Sequence, residues 1–392
     1  MTRNAVIVDA VRSPMGRGKA GGALSGVHPV DLLAHVLRGL VDRNQIDPGK
    51  VEDVIVGCVT QSGEQANVGR MAVLSAGFPV HVPATNIDRK CGSSQQAIHF
   101  AAQGVIAGAY DMVIAGGVES MSRVQMGSNR MGKDDLGPGV RTRFLSGLVS
   151  QGIAAEMVAA AWNISREELD SYAVRSHQCA AVAQRSEAFA DEIVPIEAVE
   201  TKIDMDETIR PATTSEALSG LKSAFRNDEL AQRYPNLPWG VTAGNSSQIT
   251  DGASALLIME ESVAIRLGLK PRARFVAFDV IADDPVLMLT APIPATRRAL
   301  AKASMNVEQI DHFEINEAFA SVPLAWNREL KADPSRVNPR GGAIALGHPL
   351  GGSGARLMTT MLNALEQTKG RFGLQSMCEA GGMANATIIE RL

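Results

Sequence analysis

The chain has 392 residues, long enough for two or three ordinary domains, and its 45% hydrophobic and 20% charged residues suit a globular protein with a large core. Its 38 basic and 42 acidic side chains leave a net charge of −4, which excludes the broad basic surface of a general nucleic-acid binder. No run approaches the roughly 18 apolar residues of a membrane helix, and the opening MTRNAVIVDAVRSP lacks a signal-peptide core, so a cytoplasmic protein off the membrane is expected.

In chain order, strands and helices alternate. AVIVDAV reads as a buried strand, HPVDLLAHVLRGLVDRNQ as an amphipathic helix, and VEDVIVGCV as a second strand after the turn IDPGK. SSQQAIHFAAQGVIAGA is a helix and YDMVIAGGVES a strand ending in glycines. The capping pattern Ser165-Arg-Glu-Glu168 opens a helix over SREELDSYAVRSHQCAAVAQRSEAF. VTAGNSSQITDGASALLIMEES reads as a loop, a helix start and a strand. This alternation is an α/β pattern.

The second half repeats the first. RRALAKASMNVEQIDHFEINEAFA follows the helix–loop–strand plan of AHVLRGLVDRNQIDPGKVEDVIVGCVTQ, and GGSGARLMTTMLNALEQTKGRFGLQSMCEAGG follows that of CGSSQQAIHFAAQGVIAGAYDMVIAGGVES. Two duplicated α/β halves are expected: 1–120 plus 241–270, and 271–392. Residues 121–240, richer in Met, Arg, Ser and Pro, form an inserted loop domain. Within it, Arg123, Arg130, Lys133, Arg141 and Arg143 give a local positive excess that could meet a phosphate-bearing ligand.

Four residues stand out for chemistry. Cys91, in NIDRKCGSSQQA, precedes a helix whose free N–H groups and dipole favour a thiolate. His348, in GAIALGHPLGGSG, can accept a thiol proton, and Gly351, Gly352 and Gly354 would let a substrate or backbone come close to it. Cys378 ends the last strand-like segment in SMCEAGG. Asn316 follows the strand HFEI, where an amide can hold a water or an oxyanion donor. The remaining cysteines, Cys58 and Cys179, read as buried small hydrophobes; with no CxxC pair, neither a disulfide framework nor a metal is expected.

Together CGSS at 91–94, TAGNSSQITDGA at 242–253, NEAFA at 316–320, GGAIALGHPLGGSGAR at 341–356 and MCEAGG at 377–382 resemble the thiolases over essentially the whole chain. The resemblance implies the thiolase fold: duplicated halves in a five-layer α-β-α-β-α sandwich with an inserted loop domain. It implies acyl transfer between a cysteine and coenzyme A as substrate, with no separate cofactor. Cys91 would be the nucleophile, His348 its base and Cys378 the second acid/base. Asn316 would hold a water that forms one oxyanion hole with His348, and the N–H groups of Cys91 and Ala380 would form the other. For coenzyme A the resemblance points to Arg210, Phe225, Ala243, Ser247, Ala318, Phe319 and Gln151. It also implies a homodimer or homotetramer, with GEQANVGRMAVLSAG at 63–77 near the partner's site.

The sequence departs from the family pattern in two places. Gly352 stands where many thiolases have cysteine, and Glu379 follows Cys378 where many have an apolar residue. Strand alternation turns Glu379 away from Cys378. The short span from Ser120 to Gln151 and the Ser150-Gln151 pair resemble the degradative type, which cleaves 3-ketoacyl-CoA to acetyl-CoA and a shortened acyl-CoA. The alternatives are a biosynthetic acetoacetyl-CoA thiolase, a ketoacyl or hydroxymethylglutaryl synthase, and a silent CoA- or lipid-binding relative. Cys378 argues against the synthases, and the filled catalytic positions argue against the silent relative.

Overall fold

The computed structural model describes residues 3–197 and 202–392. The first half supplies β1 (Ala5–Arg12), α1 (Pro29–Asn44), β2 (Asp53–Gly57), α2 (Val68–Ser75), β3 (Ala84–Ile87), α3 (Ser93–Ala107), β4 (Met112–Ser120) and, much later, β5 (Thr250–Glu260). Between β4 and β5 lie α4 (Gln151–Ala161) and α5 (Arg166–Arg185). The second half runs β6 (Ala273–Ala282), α6 (Pro292–Lys302), β7 (His312–Ile315), α7 (Ser321–Leu330), α8 (Ser353–Thr368), β8 (Phe372–Glu379) and β9 (Met383–Arg391).

The strand order β7-β8-β9-β6-β1-β5-β4-β2-β3 makes the duplication visible. In each half a parallel pair (β2 with β4, β7 with β8) continues through antiparallel partners (β5 and β1, β9 and β6). The parallel neighbour β3 of the first half has a vestige in the second, the isolated bridge from Phe313 to Val337. The halves join where β1 meets β6 at Val6–Arg274 and Ile7–Ala273.

Burial explains the layering. Leu32, Leu33, Leu37 and Leu40 of α1 pack with Val54, Val56 and Leu257 on one face of the first sheet. On its other face Ile98 and Val105 of α3 and Met358, Met361 and Leu365 of α8 share a core with Ile7, Val113 and Ile258. Only α8 is enclosed throughout, buried from Ser353 through Leu365, whereas α3 leaves Phe100, Gln103 and Ile106 exposed. On the outer face of the second sheet, Phe313 and Leu374 meet Trp326 of α7 and Ala299 of α6. The chain enters α5 through the expected capping box between Ser165 and Glu168. One expectation fails locally: residues 250–260 contain no helix start. All eleven are buried strand, because β5 lies between β1 and β4 and its continuous apolar run serves both faces.

Candidate active site

Cys91 sits on a sharp turn between β3 and α3. Asp88 Oδ1 accepts the Lys90 N–H at 2.7 Å, and Ser93 Oγ accepts the Arg89 N–H at 2.9 Å while donating to the Lys90 carbonyl at 2.6 Å. These bonds hold Lys90 at φ 49°, a left-handed conformation costly for a side chain of its kind. The strained turn delivers Cys91 to the mouth of the central helix layer, 5% exposed, against Leu350, Leu357 and Met377.

The His348 turn is clamped from the N-terminal half. The His348 N–H donates to the Gln248 carbonyl at 3.1 Å and to Thr250 Oγ1 at 3.0 Å. Gly347 has φ +88°, and a Cβ there would lie 2.3 Å from Thr250 Oγ1, so no other residue fits. Ser353, which the sequence reading missed, fixes the ring. Its hydroxyl donates to the Pro349 carbonyl at 2.9 Å, so its oxygen must accept from His348 Nδ1, 2.5 Å away. The neutral imidazole then carries its lone pair on Nε2, which is buried and has no protein partner among the described residues. A base facing an empty acceptor direction is what proton transfer from a thiol requires.

The glycines after His348 do a different job from the one that would admit a substrate arm. A Cβ at Gly351 would lie 2.6 Å from Cys58 Cα, and one at Gly354 would lie 2.3 Å from the Gln95 nitrogen. They let the backbones of the two halves touch. Gly352 leaves little vacated space, since a Cβ would already be 3.2 Å from the Gly117 carbonyl oxygen.

Asn316 follows β7, its N–H bonded to the Ser376 carbonyl at 3.1 Å. Its side chain is 1% exposed, and neither amide atom has a partner among the described residues. The next residue, Glu317, is the anchor: it accepts from Tyr172 Oη (3.0 Å), Ser176 Oγ (2.7 Å), Asn338 Nδ2 (3.0 Å) and the Ile344 N–H (3.1 Å). The NEAFA motif thus ties α5 and the segment leading to His348 to the end of β7, and leaves Asn316 free to face the site. Cys378, 1% exposed, is the penultimate residue of β8 and lies beside Ala318, Phe319 and Ile344. Half-buried Ala380 enters the hairpin to β9, whose left-handed turns fall on Gly381 (φ 93°) and Gly382 (φ 81°). Among the described residues the N–H groups of Cys91 and Ala380 donate to no backbone carbonyl outside helices and strands.

Electrostatics correct one expectation. Burial, followed by the charge of Glu379, pushes the Cys91 thiol up to about 12, outweighing its own backbone amide and the start of α3. Burial, followed by the Arg356 guanidinium, pushes His348 down to about 3. The resting pair is therefore a neutral thiol and a neutral imidazole. Cys378 is raised first by burial and next by the charge of Cys91.

The coenzyme A candidates form a connected face. The Phe225 and Phe319 rings meet edge-on at 6.0 Å, and Phe225 covers Gly152, next to half-buried Gln151 at the start of α4. The Ser247 N–H donates to the Ala318 carbonyl at 3.0 Å. Ala243 is exposed close by in sequence, and exposed Arg210 reaches Gln248 Oε1 at 3.0 Å. In the basic stretch Arg123 pairs with Glu64, Arg130 with Asp135 and Arg141 with Asp134, while Lys133 and Arg143 form no ion pair among the described residues.

The thiolase N-terminal domain profile matches residues 5–262, and the thiolase C-terminal domain profile matches residues 269–391. The chain is 47% identical to a steroid 3-ketoacyl-CoA thiolase of Mycobacterium tuberculosis, covering 99% of this chain and 94% of that one. It is 45% identical to a beta-ketoadipyl-CoA thiolase of Escherichia coli, covering 100% of both. The crystal structure of the Bacillus anthracis acetyl-CoA acetyltransferase superposes with a TM-score of 0.88 at 39% identity, over 100% of this chain and 99% of that one. With the Cys91 turn and the His348 turn fixed by the two halves, and family profiles spanning both, the chain belongs to the thiolase family.

Proposed function

We propose that the chain is an acyltransferase that cleaves 3-ketoacyl-CoA with coenzyme A, releasing acetyl-CoA and an acyl-CoA shortened by two carbons. The observation that carries the reading is a buried His348 whose Nδ1 is fixed by Ser353 and whose Nε2 has no partner among the described residues, in a chain that also buries Cys91 and Cys378.

In this reading Cys91 gives its proton to His348 Nε2 and its sulfur attacks the 3-keto carbon. The bond between C2 and C3 breaks, the acyl group stays on Cys91 as a thioester, and the acetyl-CoA carbanion takes a proton from Cys378. Coenzyme A then gives its thiol proton to the Cys378 thiolate and attacks the thioester; it leaves with the acyl group, and the released Cys91 takes its proton back from His348. Charge builds on the substrate oxygens in both steps. Asn316 with a water, and the Cys91 and Ala380 amides, would receive it; each such donor is worth about 2.7–4 kcal/mol in a transition state. The face around Phe225, Phe319, Ser247, Ala243, Gln151 and Arg210 would hold coenzyme A, within the loop domain at 121–240 and its edges.

A homo-oligomer fits the sheet edge. The outer side of β3 pairs with no strand among the described residues, and an edge of that kind is a template for a second copy. The test of the main reading is mass spectrometry after incubation with an acyl-CoA. An acyl group should appear on Cys91 and be absent from Cys91→Ala. Turnover of acetoacetyl-CoA by that variant would refute the assignment.

A further inference from the structure

Glu379 is a carboxyl that the proposed chemistry does not use. It is 0% exposed, and neither carboxyl oxygen has a hydrogen-bond partner among the described residues. It ends β8 on the face opposite Cys378, as alternation requires, but that face is not solvent. The carboxyl lies against the backbone of Gly92, the residue after the nucleophile: a Cβ on Gly92 would fall 1.9 Å from Oε1 and 2.7 Å from Cδ. The Gly at position 92 is what makes room for it.

Few charges face this group. From the nucleophile turn come Arg89, whose Nε is itself buried and unpartnered, and Asp88, which is engaged by Lys90 at 2.6 Å. From β9 comes only backbone, near Asn385, and along β8 the neighbour is the Cys378 thiol. The other carboxyl felt by Cys91, Glu119, is occupied by the N–H groups of Val59, Thr60 and Gly351 and by Gln65. Glu379 is thus the carboxyl beside the nucleophile whose charge nothing offsets at contact distance.

We infer that Glu379 is a positioning residue for the nucleophile that acts through its charge: as a neutral carboxyl it lets Cys91 give up its proton, and as a carboxylate it holds Cys91 in the thiol form. Burial supports this by pushing the Glu379 carboxyl up to about 8, with Arg89 only partly opposing. The reaction then meets a brake on the alkaline side, where a thiol enzyme would otherwise gain thiolate. The inference rests on Cys91 being the nucleophile.

The test needs no turnover. The rate of Cys91 alkylation by iodoacetamide, read by peptide mass spectrometry, is followed from pH 6.5 to pH 9.5 in the wild type, Glu379→Gln and Glu379→Ile. The variant-to-wild-type ratio should be near one at the acid end. It should climb to about tenfold above pH 8, the effect of lowering the thiol by about one unit when the neighbouring charge is removed. A packing role would move the rates by a factor independent of pH. A flat ratio in either folded variant overturns the inference, and the second variant serves if the first does not fold. An acyl-enzyme on Cys91 with a flat ratio refutes the role of Glu379 alone, whereas failure to acylate Cys91 refutes the nucleophile.

Discussion

Replacing Gly354 with alanine should disable the site while leaving the fold largely intact. Gly354 lies in the first turn of α8, just after His348, and Gln95 lies in the first turn of α3, just after Cys91. An added Cβ would be 2.3 Å from the Gln95 nitrogen, 2.8 Å from its Cβ and 2.9 Å from its Cα. Ordinary contacts need about 3.5 Å, so the helices must separate by roughly 1 Å. Neither can yield cheaply where they touch, because Ser93 to Gln96 at the start of α3 and Ser353 to Arg356 at the start of α8 are all buried. Such overpacking costs about 1–3 kcal/mol of stability. A displacement of that size between reacting groups costs on the order of a hundredfold in rate. Gly352→Ala is the control, since its Cβ comes no closer than 3.2 Å to any atom outside its neighbours and can be absorbed by a few tenths of an ångström. The assay is kcat/KM for 3-ketoacyl-CoA cleavage beside thermal melting. A Gly354→Ala enzyme within about threefold of the wild type would refute the reasoning, because the barrier would then have risen by less than about 0.7 kcal/mol.

Ser353→Ala should lower kcat by roughly ten- to a hundredfold with little change in KM, because His348 loses the acceptor that fixes its tautomer. An unchanged kcat across the pH profile would count against the ring assignment. Glu379 should also tie stability to pH. Its acid is neutral in the fold up to about 8 but ionises near 4.5 when unfolded, so the folded form binds the extra proton. The stabilisation present below 4.5 is then lost as pH rises towards 8. Glu379→Gln removes this dependence. Relative to the wild type it should gain stability progressively between those values, by up to about 3 kcal/mol at pH 7. Urea midpoints of both proteins at pH 5, 7 and 8.5 measure it, and a difference constant with pH would exclude the buried charge. A panel of 3-ketoacyl-CoAs, from acetoacetyl through long-chain to steroid side-chain substrates, should show measurable cleavage of at least one, with the acyl group trapped on Cys91. Cleavage without a trapped Cys91 adduct would point to another nucleophile.

The sequence by itself determined the α/β alternation, the duplication and the residues of the candidate site. These are legible because strand and helix periodicity repeat in the chain and because Cys91, Asn316, His348 and Cys378 each stand at the end of such an element. It misread residues 250–260, where small and polar residues leading into the apolar run 255–259 gave no period to distinguish a helix start from a strand buried on both faces. It left open whether the glycines after His348 admit a substrate or another backbone. Whether a bare Cα faces a ligand or another backbone depends on what lies opposite, and Gly57, Cys58 and Gln95 are brought there only by packing α8 against α3. The same holds for charge. A helix N-terminus favours a thiolate locally, yet desolvation, a property of the whole enclosure, outweighs it and leaves Cys91 a thiol. Strand alternation correctly turned Glu379 away from Cys378. Only the tertiary structure decided that the opposite face is the backbone of Gly92 and not water, because that depends on which half of the molecule lies across the sheet.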